Sequence, residues 1–352
     1  MDPELGRSIA DLGMVGPVEI DDDANVTVTI LLTTPLCPLQ DRLRRDTAAA
    51  VGAIEAVNGV EVRMESMNEQ QRENMRTGLQ GARREIPFAQ PDNHTRIIAV
   101  ASGKGGVGKS SLTVNLACAL AAEGHRVGLI DADIYGHSVP DLMGIPEYEG
   151  PINIEGVNLI LPVQAHGVKV MSIGMMKPSR DQVVAWRGPM IDRAMTQFLA
   201  DVYWDELDFL LIDLPPGTGD TAIGLGQKLP NAEVIVVTTP QLAATEVAER
   251  AGTMASMMNQ MVLGVVENMS YLETTCPHCG QTHRVDVFGH GGGQQVADTL
   301  TDRVGYPVPV LAQIPLEPAF RETGDAGTPG VLSPQPGPAA AAIRTLAQSL
   351  SA

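Results

Sequence analysis

The stretch RIIAVASGKGGVGKSSLTVNLACALAAEG, residues 96–124, reads as strand, loop and helix in succession. RIIAVAS is nearly continuous in apolar and β-branched residues, the pattern of a strand buried on both faces. GKGGVGKS (103–110) then satisfies G-x-x-x-x-G-K-[ST], and SLTVNLACALAAEG follows with helical spacing, which is the setting that a phosphate-binding loop requires. Gly103, Gly105, Gly106 and Gly108, with Val107 between them, let backbone N–H groups turn inward around phosphate oxygens. The helix N-terminus adds its partial positive charge. Lys109 is placed to pair with the β- and γ-phosphates, and Ser110, followed by Ser111, to offer its hydroxyl to Mg²⁺. ATP and Mg²⁺ are therefore the expected ligands. The loop also carries a second lysine, Lys104, which one nucleotide does not explain.

Outward from this loop the pattern repeats. HRVGLIDAD, DFLLIDLPP, AEVIVVTTP and MVLGVVENM are short apolar runs, with helical stretches such as QLAATEVAERAGTMASMMN between them. Alternating strand and helix predicts an α/β fold with a doubly wound, mostly parallel sheet. In such sheets ligands bind at the carboxyl ends of strands, where the glycine loop falls. Two further strand ends carry acids. In LIDADIYGHS, Asp131 and Asp133 follow an apolar run, and Asp133 is placed to orient or deprotonate an attacking water. In FLLIDLPPGTGD, Asp213 ends a buried strand, where a carboxylate is costly unless paired or near a metal, so a supporting role toward Mg²⁺ is expected. A helix N-cap is the plainer reading of each aspartate taken alone.

GKGGVGKS resembles the deviant loop of the ATPase class that includes nitrogenase iron protein and the cell-division and partitioning ATPases. In that class the early lysine crosses a dimer interface. The resemblance implies that Lys104 reaches the nucleotide of a second subunit, so that ATP state and dimer geometry depend on each other.

ENMSYLETTCPHCGQTHRVDVFGHGGG (267–293) holds the other chemistry. C-P-x-C-G is a tight knuckle that points the thiolates of Cys276 and Cys279 the same way. Three readings compete. A redox disulfide would want a helix N-terminus beside it, and none is expected. A zinc site could recruit His278, His283 or His290. The third reading is half of an iron–sulfur site, since clusters usually take four thiolates and a two-fold dimer supplies them from two chains. The dimer implied by Lys104 is the one the cysteine pair needs, which favours the third.

With GKGGVGKS, DADIYGHSVP, LIDLPPGTGD, ENMSY, CPHCG and IPLEPAFRETGDAGTP all present, nearly all of 96–330 is similar to the Mrp (ApbC) iron–sulfur cluster carrier ATPases. The resemblance implies a homodimeric, cytoplasmic ATP hydrolase that gives clusters to apo iron–sulfur proteins and works with cluster-assembly factors. It implies that Asn268 contacts adenine, and that Cys276 and Cys279 of two subunits bridge a labile [4Fe–4S] cluster. His137 stands where that family commonly has proline. Residues 1–67, with DPELGRSIADLGMV and TTPLCPL, resemble a small α/β domain frequent in iron–sulfur assembly factors, whose cysteine corresponds to Cys37. MDPELGRS reads as the end of a helix and turn, so the start of that domain is expected to be missing.

The remaining expectations come from composition. VTVTILL (26–32) and VEVRMES (60–66) alternate as strands, residues 38–57 have helical spacing, and 68–95 read as a polar linker with partial helical character before the ATPase domain at 96–352. With 24 Lys and Arg against 42 Asp and Glu, the net charge of −18 excludes non-specific binding to nucleic acid or to an anionic membrane. No apolar run approaches the roughly 18–20 residues that span a bilayer. Only five of the basic residues are lysines, and two of them sit in the glycine loop. Cys118, on the helix with Leu112, Leu116 and Leu120, is read as core packing. Two rival classes are weaker. A positioning ATPase would want a basic tail, and AAIRTLAQSLSA has one arginine. An ATP-driven electron donor spaces its ligand cysteines far apart.

Overall fold

The computed structural model describes residues 7–34, 39–80, 86–133, 136, 138–147, 149–154, 159–176 and 188–352, so the expectations for Cys37 and His137 lie outside the described residues. The chain divides into two compact units. One draws on Met1–Glu85, Ile152–Leu161 and Ala200–Tyr203, the other on Ile86–Pro151, Pro162–Leu199 and Trp204–Ala352.

In the first unit, β1 (Val15–Ile20) pairs antiparallel with β2 (Asn25–Leu32). The chain then crosses through α1 (Gln40–Gly52) and lays β3 (Gly59–Ser66) parallel to β2, with Val28 beside Val62 and Ile30 beside Met64. Alternation decides which side chains go inward: Val26, Val28, Ile30 and Leu32 share a core with Leu43 of α1. A helix, α2 (Glu69–Gln80), occupies part of the polar stretch, and its Met75 joins that core. Ile154 and Leu159, distant in sequence, join it as well. Ile160 ties that segment to the chain at Asp201 and Tyr203 through backbone bonds of 2.9 and 2.8 Å.

The second unit begins with β4 (Arg96–Ser102), the glycine loop and α3 (Lys109–Ala122), followed by β5 (Val127–Asp131) and the short α4 (Val139–Leu142). Two short strands, β6 (Ile152–Ile154) and β7 (Leu159–Leu161), pair antiparallel within the first unit, and the chain returns through β8 (Val163–Ala165) and β9 (Val168–Ser172). Next come α5 (Gly188–Ala200), β10 (Phe209–Asp213), α6 (Asp220–Lys228), β11 (Glu233–Thr238), α7 (Leu242–Met257) and β12 (Met261–Asn268). A hairpin, β13 (Leu272–Thr275) and β14 (Thr282–Val285), precedes α8 (Gly292–Val304), β15 (Val310–Ile314), α9 (Pro318–Asp325) and α10 (Pro338–Ser351).

The large sheet runs β15-β12-β11-β4-β10-β5-β9-β8, parallel throughout except for the antiparallel edge pair β8 and β9. Ile98 and Val100 of β4 share a core with Leu116 of α3 and Ile343 of α10, while Ile97 and Ala99, pointing the other way, are equally buried. Helices thus cover both faces, as the near-continuous apolar strands require. The five runs read from the sequence are the central strands. VKVMS and VLAQI, which the sequence pattern does not single out as strands, extend the sheet on either side. Cys118 is fully buried in the α3 core, as expected. Parallel register sets Asp213 beside Asp131 across β10 and β5, at the carboxyl end of the sheet next to the glycine loop.

Candidate functional site

β4 is fixed at the centre of the sheet, and its end delivers the chain into the glycine loop. Gly106 and Gly108 hold φ of +80° and +81°, a left-handed backbone that costs glycine nothing and directs successive N–H groups to one side. Gly105 and Gly106 are exposed at the loop's rim, whereas Val107 is buried and anchors its middle. Ser110 and Ser111 sit half-buried in the first turn of α3, and Asn115 braces that turn by donating to the Ser111 carbonyl at 2.8 Å.

Below the loop, one ammonium faces two carboxylates. Lys109, only 5% exposed, places Nζ 2.8 Å from Asp213 Oδ2 and 3.9 Å from Asp133 Oδ2. Asp213 also accepts hydrogen bonds from Ser110 Oγ at 2.5 Å and Thr113 Oγ1 at 2.9 Å. Burial pushes the Asp213 carboxyl up, and the Lys109 charge opposes that shift. Among the described residues Asp131 makes no ion pair within 4 Å, although the Lys109 charge acts on it from farther away. Burial first, and then the neighbouring Asp213 charge, raise it to about 8. Its two oxygens accept from Ser172 Oγ at 2.8 Å and from the Asp133 backbone N–H at 3.1 Å. Asp133 in turn accepts from the Gly136 N–H at 2.9 Å. The Ser110 hydroxyl and these carboxylates form a hard oxygen set, which suits Mg²⁺.

Two elements brace the loop from outside. Lys104 Nζ donates to Gln241 Oε1 at 3.0 Å, at the start of α7. Asn268, at the end of β12, donates its side-chain amide to the Val107 carbonyl at 2.8 Å. The next residue, Met269, takes a left-handed φ of +56°, uncommon for a side-chain-bearing residue. Glu267 is buried and spans two elements. It accepts from the Gly293 N–H of α8 at 2.6 Å and from Gln313 Nε2 of β15 at 3.1 Å.

The cysteines lie on the turn of the β13–β14 hairpin. The Cys276 N–H donates to the Gln281 carbonyl at 2.8 Å and the Gly280 N–H to the Cys276 carbonyl at 2.9 Å, with Gly280 at φ +69° closing the knuckle. Backbone N–H groups of Cys279 and then His278 point at the Cys276 sulfur and hold its thiol below the usual range. Both thiols are free, Cys276 half-buried and Cys279 exposed. Strands flank the turn on both sides, so the helix N-terminus that a redox disulfide would want is absent from it. Of the three histidines considered for a zinc site, His283 lies with the sulfurs, and all three donor atoms fall within 4.8 Å of one another. His290 instead faces Asp286, with Nδ1 3.5 Å from Oδ2.

A family model described as NUBPL iron-transfer P-loop NTPase, of the ParA class, matches residues 93–351. The chain belongs to that family. In this iron-transfer P-loop NTPase a second model, for an iron–sulfur cluster assembly protein, matches residues 1–63. An iron–sulfur cluster carrier protein of Mycobacterium leprae is 50% identical over 353 residues, covering 100% of this chain and 90% of that one. Another from Deinococcus radiodurans is 39% identical over 350 residues, covering 99% and 91%. A solved nucleotide-binding protein from Archaeoglobus fulgidus, in complex with ADP, superposes with a TM-score of 0.56 at 36% identity, over 70% of this chain and 92% of that one. The septum site-determining protein MinD of Pyrococcus horikoshii shares the fold, with a TM-score of 0.52 at 22% identity over 73% and 96%.

In this NTPase, three residues in contact with the expected site escaped the sequence reading: Thr113, Ser172 and Gln241. Ser172 ends the apolar strand VKVMS, the same position in a strand that Asp131 and Asp213 hold in theirs. Among the described residues no helix is long and apolar enough to cross a membrane.

Proposed function

We propose that two copies of this chain hold an iron–sulfur cluster between them and hand it to apo-proteins in the cytosol, with ATP binding and hydrolysis setting the geometry of the pair. The observation that carries this reading is the exposed Cys276–Cys279 turn. One chain supplies two free sulfurs, one of them favoured as thiolate by backbone N–H groups, and a four-sulfur cluster completes its ligands from a second chain. The likeness to cluster carrier proteins over the whole chain points the same way.

At the nucleotide site, the loop amides receive the phosphates and Lys109 moves its ammonium from Asp213 to the β- and γ-oxygens. That leaves Ser110 and Asp213 to hold Mg²⁺, which neutralises phosphate charge when bound. Asp133 orients the attacking water. Asn268 reaches adenine from its place beside Val107. Lys104 exchanges Gln241 for the phosphates of the other copy, so that nucleotide occupancy and dimer packing are linked.

The test is anaerobic reconstitution of wild type and a Cys276→Ala, Cys279→Ala double variant, with iron and sulfide counted with and without ATP. Wild type should hold one cluster per two chains. The variant should keep ADP affinity and lose the cluster; a stoichiometric cluster in it would overturn the assignment.

A further inference from the structure

We propose that each chain by itself also forms a mononuclear metal site, with His283 as third ligand beside Cys276 and Cys279, for one divalent transition-metal ion of the zinc, cobalt or iron(II) class. The proposal rests on the reading of Cys276 and Cys279 as metal-binding thiols, and it does not require the dimer.

The hairpin register assembles the three ligands. Thr274 of β13 pairs with His283 of β14, and Thr275 with Thr282. Side chains alternate along a strand, so Thr274 and Cys276 share one face, and His283, opposite Thr274, shares it too. The knuckle then folds Cys279 back toward the same point. All three donors lie within 4.8 Å of one another. A tetrahedral ion with metal–sulfur bonds of about 2.3 Å and metal–nitrogen bonds of about 2.0 Å wants donors about 3.5–3.8 Å apart. Closing that gap takes side-chain rotations of the exposed Cys279 and His283 toward the half-buried Cys276.

The neighbouring groups leave three ligands and one open position. His278 contributes its backbone N–H to Cys276. Glu273 is paired with Arg284, whose Nε lies 3.2 Å from Oε1, and Asp286 faces His290. Three protein ligands with a free fourth position describe an exchangeable site, since structural zinc sites close all four. Exposure of Cys279 and His283 gives an ion direct entry and exit. Binding releases the two thiol protons, the imidazole coordinates as its neutral form, and no electrons move.

The chemical consequence is competition. The ion in one chain and the cluster between two chains use the same thiolates, so each excludes the other. His283 adds affinity only to the first.

The experiment uses the full chain, anaerobic and nucleotide-free, titrated with Co²⁺ as the probe and separated by size. Wild type should take one Co²⁺ per monomeric chain, with thiolate-to-cobalt charge transfer and the visible bands of a tetrahedral ion. His283→Ala should bind at least about 10–100-fold more weakly, with added imidazole restoring the bands, while His278→Ala should bind as wild type does. Pre-loading wild type with Zn²⁺ should block cluster reconstitution, and His283→Ala should reconstitute in the presence of Zn²⁺. Unchanged Co²⁺ affinity and spectrum in His283→Ala would overturn the proposal, as would one ion per two chains with an all-thiolate spectrum. Either result leaves the cluster reading standing, because that reading fails only if the double cysteine variant still holds a cluster.

Discussion

The side-chain amide of Asn268 and the carbonyl of Val107 meet at 2.8 Å, joining the end of β12 to the middle of the glycine loop. β12 continues within a few residues into the cysteine hairpin, so one side chain touches the glycine loop at the root of that hairpin. Losing a hydrogen bond of this kind costs about 0.5–1.5 kcal/mol, or roughly 2–12-fold in a binding constant. Asn268→Ala is expected to weaken ADP and ATP by that range in calorimetric titration. Affinities equal to wild type would remove Asn268 from the site.

Two glycines of the loop should behave oppositely. A Cβ on Gly103 would run into the backbone of Val247 and Ala248 in α7, whereas one on Gly105 meets nothing within 4 Å, and neither glycine has a left-handed φ. Gly103→Ala should therefore lower the melting temperature and abolish nucleotide binding, at a cost of about 1–3 kcal/mol or more for overpacking against fixed backbone. Gly105→Ala should fold like wild type. Thermal unfolding of the two variants side by side checks the contrast.

Asp131 makes the nucleotide-free chain pH-sensitive. Its folded pKa of about 8 lies above the ordinary 3.8, so the folded state keeps a proton that the unfolded state gives up. The stability this contributes is complete below the ordinary value and is lost as pH rises through about 8. The urea midpoint should fall between about pH 6 and about pH 8.5, and Asp131→Asn should flatten that slope. A wild-type midpoint that rises over this window would contradict the assignment.

Thiol chemistry should separate the cysteines. Burial pushes the Cys118 thiol up to about 12, while hydrogen bonds hold Cys276 below its usual range. Iodoacetamide at about pH 7.5 should modify Cys276 in the native chain and reach Cys118 only after unfolding. Peptide mass spectrometry reads both sites in one digest.

Much of this architecture is legible in the amino-acid sequence. The strand–loop–helix at 96–124 announces itself because phosphate binding demands glycines and a lysine at fixed spacing, and Asp213 stands out as an acid closing an apolar run. What could not be read came from pairing between distant segments. Nothing in VLAQI or VKVMS says which strand it joins, and Ile154 and Leu159 lie in the first unit's core far from it in sequence. Gln241 and Thr113 are ordinary polar residues that gain a role only because the fold puts Lys104 and Asp213 beside them. His283 was one of three equivalent histidines until the hairpin register singled it out.

The contact between Lys109 and Asp213 has an energetic consequence. An unloaded loop of this type would otherwise strand a bare cation in the protein interior. Here the chain supplies its own counter-ion, so the loop without a ligand keeps its buried ammonium paired.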